Sequence, residues 1–125
     1  MNTRKLGFDA ESKVMQYLTD SGFEPIARNY TTPYGEADII TKDNDTFVFT
    51  EVKARKTQKY GKPAEAVTKQ KKLRYLRIAQ YYFMSSGITD FNVRFDVAEV
   101  YISNGTGCVN YIKNAFDFTD ISDFY

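Results

Sequence analysis

The fold is decided by residues 35–55, which read GEADIITKDNDTFVFTEVKAR. Two segments rich in β-branched and aromatic residues lie on either side of 43–46, whose sequence DNDT is typical of a tight hairpin turn. We therefore predict two antiparallel strands whose side chains alternate between the two faces of a sheet. Charge is rare inside a buried sheet, yet the second strand carries Glu51 and Lys53.

The turn sets the register of this hairpin. If residues 44 and 45 occupy its centre, Asp38 lies opposite Glu51 and Glu36 lies opposite Lys53. All four side chains then share one face, because side chains alternate with a period of two. Opposed Cβ atoms lie roughly 4.5 to 5.5 Å apart, so the charged groups converge on one patch. A slip of one residue in the turn would put Asp38 and Glu51 on opposite faces.

Two opposed carboxylates repel each other and are costly to bury without a cation. Oxygen ligands at this spacing suit a hard cation such as Mg²⁺ or Mn²⁺. We expect Ile40 and Phe49 to share the face of the carboxylates and so to hold them in a rigid core, as catalysis requires. The alternative is a structural salt-bridge cluster in which Lys53 pairs with Glu36.

A third carboxylate comes from a helix predicted over residues 3–20. Glu11 recurs at helical spacing with Phe8, Met15 and Leu18, and we predict that this stripe packs on the sheet. An unpaired charge on such a face is unusual. We therefore expect Glu11 to reach the patch formed by the hairpin.

The other elements follow from periodicity and from turn residues. A second helix should place Leu73, Leu76, Ala79 and Phe83 on its inner face and end at Gly87. We expect the aromatic residues at 81–83 to be core rather than a platform for stacking bases. The predicted order is a helix over 3–20, strands over 24–30, 36–42 and 46–55, a helix over 64–85, and strands over 92–102 and 108–116. This is an α/β (mixed α+β) fold with one mixed sheet of five strands flanked by helices.

Composition limits the class of protein. With 125 residues, 42% hydrophobic and 16% aromatic, the chain can build one core, and we expect a single domain over 1–125. No apolar segment approaches the ~20 residues that span a membrane, so we expect a cytoplasmic protein with no membrane partner. Cys108 is the only cysteine and the chain has no histidine. These features disfavour a zinc site and a thiol nucleophile, and we predict that Cys108 packs in the core.

The charge is concentrated in one region. The net charge is +1, but residues 51–77 hold ten basic and two acidic residues, a charge of +8, and the remainder carries −7. A basic region of this kind suits a polyanion such as nucleic acid. We expect Arg55, Lys56, Lys69 and Arg74 to contact phosphates, and the alternative is a solvated helix face.

The motifs G-E-A-D at 35–38 and E-V-K-A-R at 51–55 resemble the YraN-like family of bacterial proteins, whose function is uncharacterised. The fold of that family resembles the restriction-endonuclease-like PD-(D/E)XK nucleases. The resemblance covers nearly the whole chain and includes V-T-K-Q-K-K-L at 67–73 and R-F-D-V at 94–97. Among characterised nucleases, the chain is most similar to archaeal Holliday-junction resolvases.

The resemblance implies roles for particular residues. Asp38 would be the motif aspartate, Glu51 and Lys53 the E-x-K pair, and Glu11 the glutamate of the first helix. Gln70 is similar to a glutamine that supports the site in related exonucleases. The chain departs from the pattern in having alanine, rather than proline, before Asp38.

The resulting hypothesis is a metal-dependent nuclease that hydrolyses phosphodiester bonds in DNA, on branched or junction substrates. Asp38, Glu51 and Glu11 would bind Mg²⁺ or Mn²⁺, Lys53 would orient the attacking water, and Glu36 would tune Lys53. Cleavage of both strands of a symmetric junction would call for a homodimer. One alternative is a non-catalytic nucleic-acid-binding module that keeps the nuclease fold, and another is a scaffold with a structural ion-pair network.

Overall fold

The computed structural model describes residues 3–55, 67–103 and 106–118. The predicted order of helices and strands is confirmed. The elements are α1 (Thr3–Asp20), β1 (Glu24–Thr32), β2 (Gly35–Asp43), β3 (Thr46–Arg55), α2 (Lys69–Ser86), β4 (Asn92–Ser103) and β5 (Thr106–Ile112). Among the described residues, neither helix has the length and apolarity needed to cross a membrane.

The five strands form one mixed sheet in the order β1-β2-β3-β4-β5. Three neighbouring pairs are antiparallel, and β3 and β4 are parallel. Parallel strands need a long crossover connection, and α2 lies within the segment that joins β3 to β4. The hairpin turn predicted at 43–46 is confirmed, since Asp43 pairs with Thr46 and Asn44 has φ of 56°.

The two helices cover opposite faces of the sheet. Side chains from α1 pack with Ile39 and Val48, whereas side chains from α2 pack with Ile40 and Phe49. The predicted alternation of apolar side chains in β2 and β3 is thus confirmed. The α1 layer consists of Ala10, Val14, Leu18, Phe23, Ile39, Val48, Ala98 and Val100, and the α2 layer includes Tyr75, Ile78, Ala79, Phe83, Phe47, Phe49 and Phe95.

Both helices are rotated relative to the predicted stripes. In α1 the fully buried residues among those described are Ala10, Val14 and Leu18, so Glu11 lies on the flank of the buried stripe. The side chain of Phe8 lies outside the described residues. Residues four apart stay nearly in line on a helix, and residue 11 is turned by about 100° from residue 10.

In α2 the predicted inner face was only half right. Ala79 and Phe83 are buried as expected, but the other buried residues are Tyr75 and Ile78. The leucines at 73 and 76 lie on the outer flank of the helix, where they border a groove. The aromatic run also divides, because Phe83 is buried whereas Tyr81 is 37% exposed.

The start of α2 was predicted at residue 64, but the helix begins at Lys69. Thr68 is the N-cap, with extended backbone, and its hydroxyl oxygen accepts a hydrogen bond from the Lys71 amide at 3.2 Å. An N-cap residue has non-helical backbone, so the helix cannot extend through it. The predicted helical residues 64–66 lie outside the described part of the chain. The predicted stop at Gly87 is confirmed, with φ of 68°.

The C-terminal hairpin differs from the prediction at its end. β5 stops at Ile112 rather than at residue 116, because Asn114 takes a left-handed conformation with φ of 51°. The prediction that Cys108 packs in the core was also wrong, since its side chain is exposed. Alternation along β5 turns Val109 and Tyr111 towards the α1 layer and leaves Cys108 outside it.

A buried polar network fixes the end of the sheet nearest the hairpin turn. Asp96 is fully buried, and the Arg94 guanidinium donates hydrogen bonds to it at 3.0 to 3.2 Å. Asp96 also accepts bonds from the Tyr111 hydroxyl at 2.6 Å and from the Asn114 amide at 2.7 Å. Arg94 reaches Asp43 at 3.1 Å. The motif R-F-D-V therefore stabilises the register of β2 to β5.

Candidate active site

Asp38 lies where the regular pairing of β2 with β3 ends. The register has the predicted constant sum and runs from Asp43 and Thr46 to Ile39 and Thr50. Beyond that point, Asp38 Oδ2 accepts a hydrogen bond from the Val52 amide at 2.8 Å. The carboxylate thus replaces a main-chain acceptor, and its position is fixed by the backbone of the neighbouring strand.

The sheet is irregular at this position. In β1, Asn29 has φ of 51° and lies between two residues that pair with the neighbours of Asp38. Within β2, Ala37 packs in the α2 layer and Ile39 in the α1 layer. Residues two apart on a regular strand share a face, so β2 turns at Asp38. Such irregularities commonly direct a side chain into a functional site.

The environment of Asp38 is short of positive charge. Burial raises the pKa of Asp38 to about 7, the Val52 amide opposes this shift, and the negative charges of Glu51 and Glu11 add to it. A hydrogen bond with Glu51 also favours the protonated form. The predicted convergence of Asp38 and Glu51 is confirmed, because both the charge of Glu51 and this hydrogen bond act on the pKa of Asp38.

Glu51 is held between the sheet and α2. Its Oε2 atom lies 3.0 Å from Lys71 Nζ, and this buried oxygen makes no hydrogen bond to the described residues. Tyr75, one turn further along α2, is buried beside the same carboxylates. Burial, followed by the charges of Glu51 and Asp38, raises the pKa of Tyr75 well above its usual range. The phenol therefore stays neutral and forms one wall of the site.

Glu11 borders the pair from the α1 side. Its carboxylate is 3.9 Å from Arg28 Nη2, and its side chain is 17% exposed. Burial raises the pKa of Glu11, Arg28 opposes the shift, and Glu36 adds to it. Glu36 is exposed and its Cα pairs with Thr31 of β1. The register of β2 and β3 stops short of the expected Glu36–Lys53 pair, so Glu36 lies on the rim beside Glu11.

Lys53 lies next to a buried acid that the sequence analysis missed. Its Cα pairs with Glu99 on β4, and Glu99 is only 2% exposed. The Asn110 amide donates a hydrogen bond to Glu99 at 2.9 Å, and Arg55 Nε lies 3.5 Å from its other oxygen. Arg55, expected to contact phosphate, is therefore ion-paired within the protein. The alternation of apolar residues in β4 could have revealed Glu99, which follows Phe95 and Val97 at a spacing of two.

The N-terminal turns of α2 present the other predicted contacts. Gln70, Lys69 and Arg74 are exposed, whereas Lys71 turns inward to Glu51. Lys56 lies outside the described residues. The role of Lys71 was open from sequence, because it depends on where the helix begins. Recognition of Thr68 as the N-cap would have placed Lys71 at the third helical position.

The carboxylates of the site can be compared with the ligands that metal ions prefer. Within residues 3–55, 67–103 and 106–118, no three His, Cys, Asp or Glu side chains are grouped closely enough to bind one ion. Asp38 and Glu51 remain as a pair of possible ligands. They offer only oxygen atoms, and their negative charge is not fully compensated. Mg²⁺ in proteins typically takes one or two carboxylates and completes its shell with water and substrate phosphates. The pair therefore fits a hard divalent cation.

Known proteins with similar sequences define the family. Residues 10–100 match the family described as Uncharacterised protein family UPF0102. A UPF0102 protein of Caldicellulosiruptor saccharolyticus is 42% identical over 118 residues, which cover 93% of this chain and 100% of the relative. Another, of Alkaliphilus metalliredigens, is 42% identical over 114 residues, covering 91% and 99% of the two chains. The chain belongs to the UPF0102 family, the YraN-like family whose motifs its sequence carries.

Proposed function

We propose that this protein is a metal-dependent nuclease that hydrolyses phosphodiester bonds in DNA, with branched DNA as its substrate. The observation that supports the proposal is that Asp38 and Glu51 lie together where the regular pairing of β2 with β3 ends. Too little positive charge surrounds these two carboxylates to compensate them. Structural carboxylates are normally compensated fully, whereas carboxyl groups with a perturbed pKa, such as Asp38, cluster at functional sites. The resemblance to restriction-endonuclease-like nucleases supports the same reaction.

Asp38 and Glu51 would hold Mg²⁺ or Mn²⁺, and Glu11 would contribute through water. A divalent cation bound there would neutralise charge on the scissile phosphate and lower the pKa of bound water. The Val52 amide keeps Asp38 aimed at the site, and Lys71 balances the charge of Glu51. Each of these contacts preorganises the carboxylates before substrate arrives.

Lys53 would donate to the attacking water or to a phosphate oxygen. Its Cα pairs with that of Glu99 on β4, so Lys53 is placed at the same level of the sheet as this buried acid. Glu36 on the rim would add negative charge beside Glu11 rather than beside Lys53, and Gln70 would support the site from the first turn of α2. These assignments make Lys53 the side chain whose loss should affect turnover more than binding.

The nucleic acid would contact the basic region that follows Glu51. Lys69 and Arg74 are exposed on α2, and Lys56, which follows β3 in the sequence, would extend the contact; Arg55 could join it only by leaving its ion pair with Glu99. Contacts to phosphates give affinity without sequence readout. For a symmetric junction we propose a homodimer, and the single unpaired cysteine fits action in the cytoplasm.

Cleavage assays test this proposal. Labelled four-way junction, flap, linear duplex and single-stranded DNA would be incubated with Mg²⁺, with Mn²⁺ or with EDTA. The wild type and a Glu24→Gln control, which removes an exposed carboxylate on β1, should cut in the presence of metal. Asp38→Asn and Lys53→Met should lose at least about 100-fold in rate, the usual scale for loss of one acid, base or electrostatic group.

The opposite result is equally informative. If no variant cleaves any substrate and the wild type binds DNA in a salt-dependent way, the nuclease proposal is wrong. The non-catalytic binding module then replaces it. Asp38→Asn should, in that case, bind DNA as well as or better than the wild type, because it removes a negative charge.

A further inference from the structure

A groove runs along the outer flank of α2, away from the core. Its volume is about 620 Å³, within the range of pockets that hold small organic groups. Aliphatic side chains form its floor, and two tyrosines and one arginine stand at its sides. Its lining includes Tyr34, Leu73, Leu76, Arg77, Gln80 and Tyr81.

The two tyrosines of the groove are exposed and lie close together. Tyr34 is 48% exposed and Tyr81 is 37% exposed, and their ring centroids are 6.4 Å apart at an angle of 73°. The Arg77 guanidinium lies 5.8 Å from the centroid of the Tyr34 ring. Flat π-faces beside a guanidinium are the groups on which proteins stack nucleobases.

Tyr34 is presented on a rigid turn. The Thr32 hydroxyl accepts a hydrogen bond from the Tyr34 amide at 3.1 Å and donates one to the Gly35 carbonyl at 2.8 Å. Thr32 itself is 8% exposed, so this turn is anchored in the protein. Because the backbone is fixed, only the two side-chain torsions of Tyr34 become ordered on binding, and this small entropic cost favours stacking.

The charge of α2 indicates what occupies the groove. Five of the residues of α2 (Lys69–Ser86) are basic and none is acidic. A second copy of the chain seated symmetrically on this flank would bring like charges together, which is unfavourable. A nucleic-acid strand instead offers phosphates to the cations and bases to the rings.

We propose that this groove binds an unpaired nucleobase, stacked on Tyr34 with its edge towards Tyr81, with the adjoining phosphates on Arg74 and Arg77. The inference rests on the proposed function and narrows its substrate class. Tyr81 is ten residues beyond Lys71 on α2, about 15 Å along the helix. This distance is roughly four stacked base steps from the carboxylate pair. The preferred substrate therefore has a single-stranded segment a few nucleotides from the scissile bond.

Binding measurements in EDTA, where cleavage does not proceed, test the inference. Fluorescence anisotropy would compare a blunt duplex, the same duplex with a five-nucleotide single-stranded tail, and a tailed duplex with abasic sites in the tail. Tyr34→Ala should weaken binding of the tailed duplex by about 5- to 150-fold and leave the blunt duplex within about twofold. Tyr34→Phe should bind like the wild type, because stacking needs the ring and not the hydroxyl.

Two controls make the result specific. Tyr17→Ala removes a tyrosine that is 42% exposed on α1, across the sheet from α2, and should leave both affinities unchanged. Abasic sites should weaken binding by the wild type but not further weaken binding by Tyr34→Ala, since ring and base form one contact. Melting curves would confirm that each variant is folded.

Several outcomes would overturn the inference. Equal losses on tailed and blunt duplexes, no loss on either, or additive effects of Tyr34→Ala and the abasic sites would each exclude base stacking here. If the wild type nevertheless cleaves DNA with metal, only this inference fails. If the wild type binds and cleaves no nucleic acid, the proposed function fails with it. A change in sedimentation for Tyr34→Ala would assign the groove to a second copy.

Discussion

Asp38 is buried with a pKa of about 7, above its ordinary value of 3.8, so it should destabilise the folded chain as pH rises. Between these two values the folded state binds more protons than the unfolded state. The free energy of unfolding therefore falls across this window, and the full cost is present above about pH 7. We predict that Asp38→Asn stabilises the protein in EDTA, by about 2 to 3 kcal/mol more at pH 8 than at pH 5. Urea unfolding at both values would measure this difference.

Glu24→Gln is the matched control for this experiment, because Glu24 is an exposed carboxylate at the start of β1. Its effect should not vary between the two pH values by more than a few tenths of a kcal/mol. A pH-independent effect of Asp38→Asn would show that Asp38 is not protonated in the folded state. The carboxylate pair would then be compensated by Lys71 alone, and the case for a divalent cation would weaken.

Contacts between single residues also show which parts of the site can be predicted from the sequence. Alternation around a two-residue turn predicted that Asp38 and Glu51 converge, because the geometry of a hairpin is local. Glu99 and Arg55 could not be paired in this way. Their contact joins β3 to β4 across a parallel crossover, and periodicity within each strand does not fix the register between them. Long-range pairing of this kind needs the whole structure.

At the scale of elements, the turn between β1 and β2 contacts α2 through a glycine. Gly35 has φ of +137°, and a Cβ added there would lie 2.7 Å from Arg74 Cδ. We predict that Gly35→Ala lowers the unfolding free energy by about 1 to 3 kcal/mol, from backbone strain and from the collision. Thermal or urea unfolding would measure the loss, and Arg74→Ala in the same chain should restore part of it.

Gly22 separates the two causes. It has φ of +93°, but a Cβ there would meet no atom within 4 Å. Gly22→Ala should therefore cost strain alone, and Arg74→Ala should not relieve it. If adding Arg74→Ala to the Gly35→Ala variant does not raise its free energy of unfolding, the turn does not contact α2 through Arg74. Arg74 is then not held beside the groove.

Element boundaries were predictable only where local chemistry decides them. The start of β3 and the end of α2 were predicted because a hairpin turn and Gly87 mark them. The start of α2 was misplaced because the sequence before Lys69 also favours a helix. The N-cap at Thr68 is what sets the first residue of α2. The inner faces of both helices were rotated because apolar residues such as Leu73 lie on more than one side.

For the whole molecule, the near-neutral charge conceals a division between two faces. The sheet separates α1 from α2, and α2 carries five basic residues and no acidic ones. A net charge of +1 predicts weak non-specific attraction to DNA, whereas a one-sided basic surface predicts a salt-dependent footprint of several phosphates. The two descriptions predict different slopes of log K against log salt concentration.

We predict that affinity for duplex DNA in EDTA falls steeply with salt, and that Lys69→Gln and Arg74→Gln each reduce the slope of log K against log salt concentration by about 0.9. Each contact with a phosphate releases about 0.9 of a counterion, so loss of one cation removes about that much from the slope. Lys13→Gln is the control, since Lys13 is exposed on α1 across the sheet. Anisotropy titrations from 50 to 200 mM salt, about the range over which such slopes are resolved, would measure all four proteins. Equal slopes for the three variants would mean that DNA binds without using α2, and the basic helix would then be only a solvated surface.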